Sequence, residues 1–310
     1  MSMKYRRLGK TGLRVSVVGV GTWQFGGEWG KHFCEAEVST ILGRAKELGI
    51  NLIDTAECYG DHLSESLVGK AIEHDREDWI VATKFGHRYK GHLDRGDLFG
   101  PDEVRRQLED SLRALRTDVI DLYQFHSGND AAFVNDDLWT MLRQQVEAGK
   151  VRFLGISISS GIDPQLQASR ASEVGVSVLQ VVYNRLERRA EETTFQHSIA
   201  QDLGVLARVP LASGLLSGKY APGTRFTTAS DVRASRDEDR ILRQLQQVEA
   251  IRKAEVPSGV PMPQWALAWC LHRPAVSAVI PGCKTVQQVE SNAGAADLDL
   301  VRDDHPQAVA

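Results

Sequence analysis

The stretch Ile50-Asn51-Leu52-Ile53-Asp54-Thr55-Ala56-Glu57-Cys58-Tyr59-Gly60 is an apolar run of strand character that ends on a carboxylate and opens into a loop carrying a phenol. Two further runs end in the same manner. Trp79-Ile80-Val81-Ala82-Thr83 is closed by Lys84, and Val119-Ile120-Asp121-Leu122-Tyr123-Gln124-Phe125 by His126. In a strand-helix repeat the C-terminal ends of parallel strands gather at one mouth. Asp54, Tyr59, Lys84 and His126, distant in sequence, can therefore meet there.

Outward from this stretch, short β-branched runs near 17–21, 50–54, 79–84, 119–126, 151–157, 177–182, 203–209 and 276–280 read as eight strands. Between them, segments such as 36–48, 64–73, 102–115 and 137–147 place apolar residues three and four apart, the period of a helix covering a sheet. Eight such α/β units point to closure into a barrel. Ahead of the first strand, residues 5–15 read as a small hairpin turned by Gly9-Lys10-Thr11-Gly12, placed to plug the barrel floor. The interval after the seventh strand is the longest, running from Pro210 through a Gly-, Thr-, Ser- and Asp-rich stretch to a charged helix near 237–255. Insertions of that length form lids or stay disordered. No linker or composition break divides residues 1–310, so a single domain is expected.

The chain has 310 residues, 42% hydrophobic and 25% charged, with a formal net charge of -4. That composition is ordinary for a soluble globular protein and offers no basic stripe for nucleic acid. Cys34, Cys58, Cys270 and Cys283 lack paired metal spacing and form no disulfide framework, which fits reduced thiols in a cytoplasm. The N-terminus carries charge without an apolar segment behind it, and no run approaches the roughly 20 apolar residues of a spanning helix. Neither export nor membrane insertion is expected, and the binding partner is sought among small molecules.

Each of the four polar residues has an ordinary explanation alone: a turn-forming Asp, an amphipathic Tyr at a loop edge, a solvated Lys, a hydrogen-bonded His. Together they suit carbonyl reduction, which needs hydride at carbon and a proton at oxygen. A phenol with a pKa near 10 is too weak a donor unaided. A neighbouring ammonium favours phenolate, and a carboxylate keeps that ammonium charged. Tyr59 is then the acid, Lys84 its partner and Asp54 the anchor, while His126 orients the substrate oxygen and stabilises its developing charge.

The segment Asp54-Thr55-Ala56-Glu57-Cys58-Tyr59-Gly60, with Ser64-Glu65 and Leu67-Val68-Gly69-Lys70-Ala71 after it, resembles the signature of the aldo-keto reductase superfamily. Thr83-Lys84 and residues 121–126 match that family's Lys and His segments. The resemblance runs from the hairpin to Asn292 and implies a (β/α)8 TIM barrel, an NADPH or NADH cofactor and hydride exchange with a carbonyl or alcohol. By resemblance, Gly21-Thr22-Trp23 nears the nicotinamide ribose, while Ser157 and Gln180 hold the carboxamide; Ile158 stands where many members have Asn. Arg208 occupies the place of a stacking Tyr, just before Pro210 and Leu211, and a planar guanidinium can stack on a ring. Ser213, Gly214, Leu215, Ser217 and Lys219 resemble the loop crossing the pyrophosphate. Gly282, Lys284, Thr285, Gln288 and Asn292 fall at the adenosine phosphate, where Thr285 and Gln288 also form a capping-box pattern at a helix start. A bacterial-type branch with Pro-Gly-small-basic here uses a Lys284-like residue, so NADPH is expected ahead of NADH.

Trp23, Phe25, Trp29, Phe85, His87 and Tyr89 follow the first and third strands and are expected to form an apolar wall over the site. Only a short tail follows Asn292, which implies an open mouth and small aldehyde, dicarbonyl or sugar-like substrates. A second reading is a redox-sensing NADP-binding subunit similar to the potassium-channel β subunits. A metal-dependent barrel hydrolase would need His-x-His or a carboxylate cluster at the strand ends.

Overall fold

Each run that reads as a strand forms one in the computed structural model, which describes residues 2–228 and 230–309. The eight are Val20–Gly21, Leu52–Asp54, Ile80–Phe85, Ile120–His126, Val151–Ser157, Val176–Val182, Gly204–Arg208 and Ala278–Val279, all parallel and paired in sequence order. Parallel bridges Val18 to Val279 and Gly21 to Gly282 join the last strand to the first, giving the (β/α)8 barrel. The close contact at that seam requires glycine: a Cβ on Gly21 would stand 2.7 Å from the Ile280 carbonyl oxygen.

Helices cover the outside because their apolar residues recur on one face. In Pro101–Ala114, Pro at the first turn with Asp102 and Glu103 starts the helix, and Val104, Leu108 and Leu112 form the buried stripe. Along each strand, alternate residues point inward and outward. Leu52, Ile80, Ala82, Leu122, Val178, Leu206, Ala278 and Ile280 form the inner apolar cluster, whereas Ile53, Val81, Leu179 and Val205 pack outward in the helix layer.

The N-terminal hairpin, Tyr5–Arg7 with Arg14–Ser16, closes the floor as its turn residues suggest. Leu8, Leu13 and Val15 pack into the inner cluster. Arg6 is buried and donates to the carbonyls of Val276 at 2.6 Å and Leu271 at 2.9 Å, tying the hairpin to the last repeat. The tail does not end near the mouth: it returns to the floor, where Ala308–Val309 pairs antiparallel with Tyr5–Arg7.

One insertion was not visible in the sequence, and one long interval takes the lid form that was one of its two expected outcomes. A β-ribbon, His87–Gly91 with Asp94–Asp97, is inserted after the third strand. The long interval after the seventh strand is ordered into a strap across the mouth: Gly30 N donates to the Ser230 carbonyl and Val232 N to the Glu28 carbonyl. Behind the strap, helix Glu238–Ala254 packs Ile241, Leu245, Val248 and Ile251 against Leu215, Leu216, Met262 and Trp265.

Candidate active site

The inward register that fills the floor with apolar side chains continues upward into polar ones. Two residues beyond Leu52 is Asp54; beyond Ala82, Lys84; beyond Leu122, Gln124 and His126; beyond Val178, Gln180; beyond Leu206, Arg208. One parity therefore produces both the core of the barrel and its polar mouth.

Lys84 Nζ is fully buried and donates to Asp54 Oδ1 at 2.7 Å and to the Thr55 carbonyl at 2.6 Å, with Tyr59 Oη at 3.2 Å. Gln180 Nε2 donates to Asp54 Oδ2 at 2.6 Å and Gln124 Nε2 to the same oxygen at 3.2 Å, so the carboxylate is held on both sides. Burial alone would lower the Lys84 ammonium, but Asp54 and Tyr59 outweigh it and hold it above its ordinary value. The Tyr59 phenol behaves otherwise than the sequence suggests. Burial raises it, Lys84 opposes, and burial wins, so the phenol keeps its proton.

His126 stands edge-on to Tyr59, with ring centroids 6.2 Å apart. Burial and the charges of Lys84, His87, Arg95 and Arg208 push its imidazole well below the usual range, so it is neutral. Its Nδ1 lies 3.6 Å from Cys58 Sγ and 3.8 Å from Glu57 Oε2. Burial pushes the Cys58 thiol well up, and burial with the nearby Glu65 charge lifts the Glu57 carboxyl to about 8.

A groove of about 820 Å³ runs across the mouth beneath the strap. Asp54, Tyr59 and His126 line it, as do Gly21, Thr22, Trp23, Gln180, Arg208, Pro210, Leu211, Ser213, Gly214, Ser217, Lys219, Gly282, Lys284, Thr285, Gln288 and Asn292. Lys84 sits behind Tyr59 and Asp54. Ser157 is buried off the groove, donating to Gln180 Oε1 at 3.3 Å. Leu215 is not on the groove wall either; it faces the helix behind the strap. Of the expected apolar wall, Trp23 and Trp29 line the groove and Phe25 and Phe85 do not. Phe85 follows inward-facing Lys84, so alternation turns it outward, 4.7 Å from Tyr123; Phe25 packs 5.0 Å from Phe33. His87 lies behind His126, at 4.8 Å between rings, and Tyr89 stays on the ribbon.

The ribbon supplies a wall residue that no motif announced. Arg95 lies over the Trp23 and Tyr59 rings at 5.8 and 5.9 Å and pairs with buried Glu28 at 2.5 Å. Trp23 Nε1 donates to the same carboxylate. At the far end of the groove, Thr285 Oγ1 caps helix Val286–Ala293 by accepting from Gln288 N at 3.3 Å, and Gln288 Oε1 accepts from Lys284 N at 2.7 Å. Burial and the facing charges of Arg233, Lys31 and Lys219 lower the Lys284 ammonium, opposed only in part by Asp231. Cations beside a helix start are chemically suited to an anion.

Comparison with known proteins agrees with this geometry. The sequence model of the Aldo/keto reductase family matches residues 17–309. An uncharacterized oxidoreductase of Bacillus subtilis (strain 168), YrpG, is 34% identical, with 96% of this chain and 92% of that protein covered. A probable voltage-gated potassium channel subunit beta of Oryza sativa subsp. japonica is 29% identical, covering 96% and 92%. Among solved structures, the holo form of aldo-keto reductase AKR11C1 from Bacillus halodurans superposes with a TM-score of 0.80 at 30% identity, covering 96% and 91%. The chain belongs to the aldo-keto reductase family and is an NAD(P)H-dependent oxidoreductase. Among the described residues, no helix is long and apolar enough to cross a membrane.

Proposed function

We propose that this protein is an NADPH-dependent carbonyl reductase that converts small aldehydes, ketones or sugar-like carbonyls to alcohols, with Tyr59 as the proton donor. The observation that carries this reading is the position of Lys84 Nζ, 2.7 Å from Asp54 Oδ1 and 3.2 Å from Tyr59 Oη, at the wall of the groove. When bound, the dinucleotide supplies the hydride. Tyr59 gives its proton to the substrate oxygen, and the phenolate left behind is held by the Lys84 ammonium, which Asp54 keeps charged. His126 completes the oxygen site. The buried Cys58 thiol donates to Nδ1, which puts the imidazole proton on Nε2, where it serves the oxygen.

The groove fits a dinucleotide. A Cβ on Gly282 would stand 2.0 Å from Gln24 Nε2, and Ala212, Ser213 and Gly214 all adopt positive φ, a tight loop that brings Ser213 and Gly214 to the groove wall. Gly21, Thr22, Asp54, Gln180 and Arg208 would serve the nicotinamide half, with Ser157 acting through Gln180, to which it donates. Pro210, Leu211, Leu215, Ser217, Lys219, Lys284, Thr285, Gln288 and Asn292 would serve the phosphates and adenosine, directly or by shaping the loop. Lys284 among its neighbouring cations favours the 2'-phosphate and hence NADPH. Free cysteines support a cytoplasmic setting, and the docked hairpin and tail support one unit over residues 1–310.

The test is NADPH oxidation with a reactive aldehyde, alongside titration of NADPH and NADH. Tyr59→Phe should lower kcat/KM by about three orders of magnitude while still binding cofactor. Equal rates would remove Tyr59 from its role. Tighter NADH binding by more than about tenfold, or about 1.4 kcal/mol, would remove Lys284 from the phosphate site. The similarity to the rice channel β subunit favours the alternative of a redox-sensing regulatory subunit. Failure with every carbonyl, together with NADP binding and a stable partner in pull-down, would establish that alternative.

A further inference from the structure

Beside the groove opens a second chamber of about 470 Å³. The two share Trp23, Ser159, Ser160, Arg208, Val209 and Ser213 as a common wall, and Trp23 stacks on Tyr59 with ring centroids 6.0 Å apart, so one indole separates the chamber from the phenol. Its lining is cationic: Arg189, Arg208, Arg236 and Arg240 face Glu187 and Asp237.

Among the described residues, the guanidinium hydrogen bonds of Arg189, Arg208 and Arg236 end on neutral oxygens. Arg208 Nη2 donates to the Ile158 carbonyl at 3.0 Å, Arg236 Nη2 to Ser213 Oγ at 2.8 Å and Arg189 Nη2 to the Ile162 carbonyl at 2.8 Å. Arg208 Nε is buried without a partner. The two carboxylates are engaged elsewhere. Glu187 Oε1 accepts from the Arg189 backbone N, while Asp237 Oδ1 caps helix Glu238–Ala254 through Asp239 N and its other oxygen lies 3.9 Å from Arg243. Burial, together with the charges of Arg240 and Arg233, depresses the Arg236 guanidinium, against a smaller pull from Asp231. Cations held close together with neutral partners repel one another, and an anion among them relieves that repulsion. A guanidinium fork also matches the paired oxygens of a carboxylate or phosphate.

We infer that the carbonyl substrate bears an anionic oxygen group, carboxylate or phosphate, which Arg236 and Arg240 seat in this chamber while the carbonyl faces Tyr59. The inference rests on the reductase reading above and deepens it to a substrate class. Arg189 at the rim and Arg208 at the shared wall add to the same field.

The experiment compares charged and neutral partners of matched length at saturating NADPH: 4-oxobutanoate with butanal, and glyceraldehyde 3-phosphate with glyceraldehyde. The wild-type protein should favour the anionic member of at least one pair by about tenfold in kcat/KM, and added salt should shrink that advantage. Which pair responds distinguishes carboxylate from phosphate. In Arg236→Gln/Arg240→Gln the advantage should fall by at least about fivefold. Arg240→Gln alone, at an exposed position, should reduce it in part and guards against a folding defect in the double variant. Ratios within about twofold of one, or ratios unchanged by the substitutions, overturn the inference while leaving the reductase intact. A weaker NADPH affinity in Arg236→Gln with an unchanged ratio assigns Arg236 to the cofactor and also overturns it. If no carbonyl is turned over, the reductase reading fails. Calorimetric titration with succinate and with inorganic phosphate then decides, since absence of binding to the wild-type protein sinks the anion site too.

Discussion

Glu57 has one oxygen accepting from the His87 backbone N at 3.0 Å and the other, Oε2, buried without a hydrogen-bond partner, 3.8 Å from His126 Nδ1. With its carboxyl raised to about 8, Glu57 is neutral at pH 7, and Nδ1 is left to accept from Cys58. As pH rises through about 8, Glu57 ionises, and a carboxylate beside Nδ1 draws the imidazole proton to that nitrogen. Nε2 then loses the proton it would offer to substrate. The expected kcat/KM profile with an aldehyde therefore falls on an alkaline limb near pH 8, and Glu57→Gln should move that limb upward; an unmoved limb would clear Glu57 of the effect. Stability gives the same sign. The folded pKa lies above the ordinary 4.5, so the contribution of Glu57 is fully present below that value and lost as pH rises through about 8. Glu57→Gln should gain on the wild type between pH 5 and pH 9, on the order of a few kcal/mol in urea unfolding.

At the scale of elements, the ribbon His87–Gly91 with Asp94–Asp97 is held to the mouth by the ion pair of Arg95 with Glu28 and by His87 N donating to Glu57 Oε1 at 3.0 Å. Glu28 is buried and also receives Trp23 Nε1 and, at 3.2 Å, Leu93 N. Arg95→Met should leave that carboxylate without its cation and cost about 2–3 kcal/mol in chemical unfolding, partly recovered in Glu28→Gln/Arg95→Met. A loss below about 0.5 kcal/mol would mean that other contacts hold the ribbon. The ribbon also marks the limit of what could be read from sequence. Asp54, Lys84 and His126 were legible because each closes an apolar run, and Tyr59 because it stands in the loop that the first of these runs opens into. Residues 87–97 mix charged and half-buried side chains with no apolar alternation, so neither the ribbon nor Arg95 gave a signal. Phe25 and Phe85 misled for the converse reason: being apolar and near a strand end does not tell which face a residue takes. Only the parity set by Lys84 turns Phe85 away.

Across the whole molecule, the barrel separates what holds it together from what it does. The polar residues of the candidate site gather at the C-terminal strand ends, while the opposite end is sealed by Leu8, Leu13 and Val15 and strapped by the returning tail. The tail gave no warning in the sequence, since two residues of strand are too few to carry a pattern. At this floor, Gly204 begins the seventh strand where the hairpin presses closest. An added Cβ would stand 2.6 Å from Leu8 Cδ1 and 2.9 Å from the Leu8 carbonyl carbon, so Gly204→Ala must displace backbone as well as side chain. The expected cost is about 1–3 kcal/mol, read as a lower urea midpoint. The distortion would enter the same strand that ends on Arg208, four residues on, but the inner cluster of Leu52, Ala82, Leu122, Val178, Leu206 and Ala278 lies between. A packed apolar layer should absorb the shift, so kcat and KM per folded molecule should stay within about twofold of the wild type, the opposite pattern to Tyr59→Phe. A large loss of kcat in a protein that remains folded would mean that floor and mouth are mechanically coupled through the seventh strand.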